Sequence, residues 1–249
     1  MMSNIKAELR KVFTVRSTYV ILALVVAIEL LFAFYGSGWR VDPKDLHNPL
    51  ALSGDVTAAV NFVSVFAALI ATLLMAHEYR YNTIMYSLTL SKRRSRVIFA
   101  KVLVISAFAV VFTLLAGALS PLLAALGAHA HHLHFTHQTF QYGTLLWRSL
   151  FFGWGYAMAG LLFATLIRNQ IGAIVTLFIA PTTVEGVLSL LLKKNTVYLP
   201  FSALHTVIGQ GMDTYRNAIT PLHAAMVFSA YLLGGGIIAW ILFLKRDAN

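Results

Sequence analysis

Five histidines fall within nine residues: His129, His131, His132, His134 and His137. Imidazole suits Zn, Cu and Ni, so this run is a candidate divalent-metal site. It has no carboxylate or thiol neighbour, and the default reading is a polar loop that happens to be histidine-rich. A second set of residues interrupts long apolar runs: Glu29, Arg148 and Glu185. Ionisable groups inside a bilayer are costly and are functional candidates by default. The alternative is that each snorkels or pairs for structure only. Pro181, in Ala180-Pro181-Thr182-Thr183, frees the carbonyl of Leu177 and predicts a kink. Thr182 and Thr183 are placed to compensate for the broken backbone bond.

Several chemistries have no motif here. No lysine is followed by Ser or Thr, so there is no Walker A loop. ATP-driven activity therefore needs another chain. His77-Glu78 is followed at position 81 by Tyr, which excludes HExxH, and there is no GxSxG. The absence of cysteine excludes a disulfide scaffold, a thiolate metal site and a cysteine nucleophile.

The elements that position these residues follow from composition. The chain has 249 residues, 59% hydrophobic and 11% charged, with a mean hydropathy of +0.75. Soluble domains carry about 25% charge, so this chain cannot wrap a soluble globule. Disorder is excluded by the same numbers. The composition describes one integral membrane domain over residues 1–249, all-α. A span needs about 20 mostly apolar residues, and six windows qualify: Thr18–Tyr35, Thr57–Ala76, Val97–Leu123, Thr144–Ile167, Ile171–Leu192 and Pro221–Leu244. The runs lack the ~10-residue in–out alternation of a membrane barrel.

Basic residues set the orientation. Lys6, Arg10, Lys11, Arg16, Arg80, Lys92, Arg93, Arg94, Arg96, Arg168, Lys245 and Arg246 fall on one side, and Arg40, Lys44, Lys193, Lys194 and Arg216 on the other. The positive-inside rule then predicts both termini in the cytoplasm. The net charge of +10 is accounted for by topology rather than by nucleic acid. The first span is too long, and lacks a cleavage site, to read as a signal peptide. At 1.5 Å per residue, Glu29 and Glu185 lie ~18 and ~21 Å from the inner ends of their spans, and Arg148 ~6 Å from its outer end. All three fall in the outer half of a ~30 Å core, where Arg148 can reach Glu185 or Glu29.

Two segments outside the spans carry helical patterns. Within residues 3–16, Ile5, Leu9, Val12 and Phe13 share a stripe, with Ser3 as N-cap and Lys6, Glu8, Arg10 and Lys11 elsewhere. This predicts an amphipathic helix lying in the membrane interface. Residues 77–96 read HEYRYNTIMYSLTLSKRRSR. A short amphipathic helix carrying Ile84 and Leu88 fits, with Ser91 capping the third span. A solvated basic loop is the plain alternative, but it does not account for Glu78 to Leu90. On the outer side, Val197–Gly209 fits short helices dipping back into the membrane. Small residues at Gly155/Ala159, Tyr156/Gly160, Ala116-Gly117-Ala118 and Gly234-Gly235-Gly236 permit close helix approach.

The run Glu78-Tyr79-Arg80-Tyr81-Asn82-Thr83-Ile84, then Leu88, Lys92-Arg93-Arg94 and Ala100-Lys101, resembles the permease subunits of ABC-2-type exporters. The interfacial helix, six spans and outer segment before the sixth span match that layout. The resemblance implies that residues from about Glu78 to Leu90 form a coupling helix docking on an ATPase. Glu78, Tyr79, Arg80, Tyr81, Thr83, Ile84 and Leu88 are then the coupling residues. Asn82 stands where many relatives have Gly, and a tight turn there requires a left-handed Asn, which is tolerated.

The resulting expectation is a transport permease, not an enzyme, of a prokaryotic cell membrane, with no catalytic residue and no cofactor of its own. ATP and Mg would sit on a nucleotide-binding partner subunit. A second permease chain, as homo- or heterodimer, would complete the path, surrounded by membrane lipid and without nucleic acid. Apolar spans with few charges fit an amphipathic or lipid-like cargo. Two other classes compete. An ATP-independent metal transporter would use the histidine loop. An intramembrane enzyme would use Glu29, Glu185 and the histidines.

Overall fold

A computed structural model describes residues 2–40, 49–83, 94–133, 142–209 and 219–245. Every regular element among them is helical. Helix α1 (Met2–Thr14) precedes α2 (Arg16–Glu29), which runs into a π-helical segment, Leu30–Trp39. Then come α3 (Pro49–Arg80), α4 (Arg94–Ala130) and α5 (Tyr142–Ile167). The fifth span is broken into α6 (Gln170–Ile179), a π-helical turn (Ala180–Val184) and α7 (Glu185–Leu192). A 3-10 segment, Lys193–Tyr198, leads to α8 (Pro200–Ile208), and α9 (Pro221–Lys245) is the last helix.

Among the described residues six helices are long and apolar enough to cross a membrane: Arg16–Trp39, Ala58–Arg80, Ser95–Ala130, Gly143–Ile167, Gln170–Tyr198 and Pro221–Lys245. They match the six expected windows, with different ends. The second reaches Arg80 rather than Ala76, and the third reaches Ala130 rather than Leu123. Glu78, Tyr79 and Arg80 therefore belong to the last turn of a span, not to the head of a separate coupling helix. His129 lies in the last turn of α4, not in a loop.

The second and fourth spans are the most buried, and the first, fifth and sixth the least. Small side chains explain that arrangement, because lipid is as apolar as Leu and only close backbone approach favours helix over lipid contact. Ala67, Ala68, Ala71, Ala157 and Ala164 are fully buried where these two spans meet. A Cβ on Gly160 would lie 2.5 Å from the Ala68 carbonyl oxygen. At the other end of the bundle the first and third spans touch backbone to backbone: a Cβ on Gly127 would lie 2.9 Å from the Trp39 nitrogen and 3.0 Å from Gly38 Cα. Buried hydroxyls of Ser64, Thr72 and Thr165 donate to carbonyls one turn back, at 2.6, 2.8 and 2.7 Å.

Pro181 lies in the break of the fifth span. Its turn is π-helical, and the Thr182 hydroxyl donates to the Phe178 carbonyl at 2.6 Å. Residues 197–209 do include a short helix, α8. Pro200 starts it, and Gly209, at φ +86°, ends it in the left-handed conformation. Phe201, Leu204 and Ile208 bury against Phe152, Tyr156 and Phe228 of α5 and α9.

Helix α1 differs from its sequence reading in two respects. It begins at Met2, so Ser3 lies inside it rather than at its cap. Its apolar stripe is also split: Val12 is buried and Ile5 packs against the core, while Leu9 and Phe13 are exposed. Glu8 faces inward with Val12 instead.

Candidate functional site

Four charged side chains meet where α1, α3 and α4 converge. Lys101 Nζ, on α4, donates to Glu8 Oε2 of α1 at 2.8 Å and to Glu78 Oε1 of α3 at 2.6 Å. Lys11 Nζ donates to Glu8 Oε1 at 2.8 Å and also to Glu78 Oε1. Two carboxylates and two ammonium groups make the cluster formally neutral. Lys101, Glu78 and Glu8 are all buried, while the Lys11 side chain is 34% exposed. The second Glu78 oxygen, Oε2, is buried without a partner among the described residues.

The spacing explains the meeting. Glu8 and Lys11 are three apart on α1, so they share one face. Glu78 lies in the last turn of α3 and Lys101 about two turns into α4, so the packing of the two helices sets opposite charges side by side. Burial alone raises the Glu8 carboxyl, but the Lys101 ammonium overrides it and holds the group below its ordinary value of 4.5. Burial likewise lowers Lys11, but Glu78 and Glu8 hold its ammonium above its ordinary 10.5. The charged forms of Glu8 and Lys11 are thus each favoured by their opposite partners.

The rest of the Glu78 run is placed around this cluster. Tyr79 packs against the core, and the Arg168 guanidinium lies over its ring, 5.5 Å from the centroid. Arg80 Nη1 donates to Gln170 Oε1 at 3.0 Å, and its guanidinium lies 5.5 Å from the Tyr81 ring centroid. The helix ends in a turn in which Asn82 is left-handed, at φ +53°. Asn82 takes up here the conformation for which glycine is the usual residue. Tyr81, Asn82 and Thr83 are exposed. Ile84 and Leu88 of the coupling run, with Ser91, Lys92 and Arg93, lie outside the described residues.

Among the described residues Arg148 forms no ion pair with Glu29 or Glu185, the pairing that their depths would allow. Glu29 accepts from Ser120 Oγ at 2.7 Å. Glu185 instead caps α8: the Phe201 amide donates to Oε1 at 2.6 Å, and the Ser202 amide and hydroxyl both donate to Oε2 at 2.7 Å. A carboxylate is favoured at a helix N-terminus, where free amides and the dipole converge. Arg148 makes no ion pair among the described residues, and its guanidinium lies 5.9 Å from the Trp147 ring. Pro181 lies in the turn just before Glu185.

Three of the five histidines, His129, His131 and His132, lie among the described residues. His129 ends α4 and His131 stacks edge-on to Trp39 at 4.7 Å. His132 is left-handed, at φ +60°, and His134 and His137 lie outside the described residues. Among the described residues no three His, Cys, Asp or Glu side chains stand together as a metal site. His205, on α8, pairs with the Tyr156 hydroxyl at 3.1 Å.

Sequence reasoning missed Glu8, Lys11 and Lys101 as members of the site. Lys11 was assigned to topology, Glu8 to the polar side of α1, and Lys101 only to the Ala-Lys pair of the resemblance. The available signal was an acid on the amphipathic N-terminal helix, a second acid at the end of the second span and an unexplained lysine inside the third.

The fold and site define a polytopic α-helical membrane protein in which an interfacial helix is salt-bridged to the adjoining ends of two spans. The family model for ABC-2 family transporter proteins matches residues 4–184. The chain belongs to that family, as the permease component of an ABC transporter. The match takes in α1 and the whole charged cluster and stops just before Glu185, α8 and α9. None of the curated proteins compared with the chain matches it.

Proposed function

We propose that the chain is the membrane half of an exporter powered by a separate ATPase subunit, with ATP and Mg bound on that subunit alone. ABC-2 permeases normally work with such a subunit. Both termini and the Glu78 turn face the cytoplasm of a prokaryotic cell in this reading, as the basic residues predict. A second copy or a related permease chain completes the path.

The observation that carries the proposal is the cluster Glu8–Lys11–Glu78–Lys101. It joins the interfacial helix, the second span and the third span immediately before the exposed turn Tyr81–Thr83. A force applied by a partner at that turn reaches three helices through buried charges rather than through a flexible loop. ATP binding then shifts the path between inward- and outward-facing states, in proportion to the difference in ATP affinity between them.

The experiment is gentle affinity purification from the native membrane, with mass spectrometry of what accompanies the chain. A stoichiometric partner carrying a Walker A motif, released by Glu78→Gln or Arg80→Ala, is the expected result. A chain that purifies alone from every mild detergent overturns the reading.

A further inference from the structure

The fourth and fifth spans are joined by only two residues, Arg168 and Asn169. Asn169 caps α6, accepting from the Gly172 amide at 2.9 Å. Arg168 makes the reversal itself, at φ +56°. Glycine is the default residue for a left-handed position that ends a helix, and a long side chain there is strained. The strain is understandable if the guanidinium is needed where it stands.

Its contacts say what for. The guanidinium covers Tyr79 at 5.5 Å, and Nη2 donates to the Leu242 carbonyl of α9 at 3.5 Å. Nε is buried without a partner among the described residues. One side chain at the tip of the fourth–fifth hairpin therefore touches the last turns of the second and sixth spans. Arg80 and Gln170 tie the same hairpin to the second span a second time, at 3.0 Å. Glu78 faces α1 and α4, while its neighbours Tyr79 and Arg80 face the fourth–fifth hairpin.

We propose that Arg168 is a positioning residue for transport: it carries a displacement of the Glu78-Tyr79-Arg80 turn to the fifth and sixth spans, in parallel with the charged cluster that carries it to α1 and the third. The proposal rests on the permease reading. It gives Arg168 a role that its charge alone, as one more cytoplasmic basic residue, does not require.

The test uses the chain with its copurifying ATPase in lipid nanodiscs. The chain has no native cysteine, so Asn195→Cys, exposed on the 3-10 segment at the far end of the fifth span, gives a single label site. The readout is its labelling rate by a membrane-impermeant maleimide, with and without ATP, Mg and vanadate. With Arg168 the rate changes at least about fivefold, the lower end of typical site-to-site coupling. Arg168→Gly relieves the backbone strain and still copurifies with the ATPase, but the change collapses. Tyr79→Phe keeps the ring and keeps the change, whereas Tyr79→Leu loses it. These two variants test the contact from its other side should Arg168→Gly fail to accumulate. A full nucleotide response in Arg168→Gly, or equal responses in Tyr79→Phe and Tyr79→Leu, overturns the proposal while leaving the permease reading intact. No response with both residues intact overturns the permease reading and this proposal with it.

Discussion

Replacing Lys101 by Met removes one charge and little volume. Lys101 is 2% exposed, and it serves Glu8 and Glu78 at once. The variant leaves two carboxylates against one ammonium, Lys11, which is itself partly in solvent. Breaking a buried ion pair by removing one partner costs about 3–5 kcal/mol, because an uncompensated charge stays buried. Lys11 can turn toward the freed oxygens, which favours the lower end. At about 2–4 °C per kcal/mol for a chain of this size, the midpoint falls by about 6–20 °C. The assay is thermal unfolding of the purified chain in mild detergent, followed by tryptophan fluorescence. The decisive variant is the double one, Lys101→Met with Glu8→Gln. It restores neutrality by leaving the Lys11–Glu78 pair, and it recovers about 1–3 kcal/mol, the size of couplings between contacting residues. A Lys101→Met chain that melts like the parent, or a double variant no better than the single, refutes the reasoning.

Three further outcomes are expected. Gly127→Ala pushes the first span off the third, because its Cβ would sit 2.9 Å from the Trp39 nitrogen; Gly117→Ala, with nothing within 4 Å of its Cβ, is tolerated or gains up to about 1 kcal/mol of helix propensity. The two midpoints must therefore move apart. Docking of α1 is pH-dependent at both extremes: Glu8, depressed, contributes above its ordinary 4.5 and loses its contribution as pH falls through the lowered value. Lys11, raised, contributes fully below its ordinary 10.5 and loses it as pH rises through the higher value. A spin-label distance between Lys6→Cys and Arg96→Cys should hold steady through neutral pH and broaden only beyond those limits. Finally, converting Glu8, Lys11, Glu78 and Lys101 together to Met leaves a chain at least as stable as the parent, since apolar replacement of buried ion clusters is often neutral or stabilising. The same variant should lose nucleotide-dependent labelling at position 195; an unchanged response means the cluster is structural only.

The spans were legible because a run of about 20 apolar residues has one stable solution in lipid. Their ends were not, because a helix continues past the hydrocarbon wherever its backbone bonds remain satisfied. That is how Glu78-Tyr79-Arg80 came to lie on α3 rather than on a helix of its own. The apolar stripe of α1 reads as one face in the sequence, but tertiary packing divides it: Val12 and Ile5 meet the bundle, Leu9 and Phe13 stay exposed, and Glu8 takes the inward side. Depth along the chain placed Glu29, Arg148 and Glu185 in the same half of the bilayer but could not tell which groups competed for them. Glu185 is engaged by the amides of α8, a helix whose position depends on tertiary packing against Phe152 and Phe228. Asn82 was legible in full, since only a few residue types tolerate the left-handed turn that it makes.

Why the joint between α1 and the bundle is ionic follows from what each alternative does when it opens. An apolar joint would bind α1 by area alone, and in lipid that area has nearly the same free energy apart as together. It would define neither register nor a second state. The four-charge cluster is neutral only when Glu8 and Lys11 stand opposite Glu78 and Lys101. A slip of one residue along α1 turns Glu8 away and strands Lys101, which is buried. The joint is therefore sharply defined in position yet openable, because both α1 charges lie at the interface and regain water when the helix lifts. Under the function proposed above, a partner pulling on the Glu78 turn would work against a contact that is either whole or broken, the kind of bistable element that a two-state transport cycle requires.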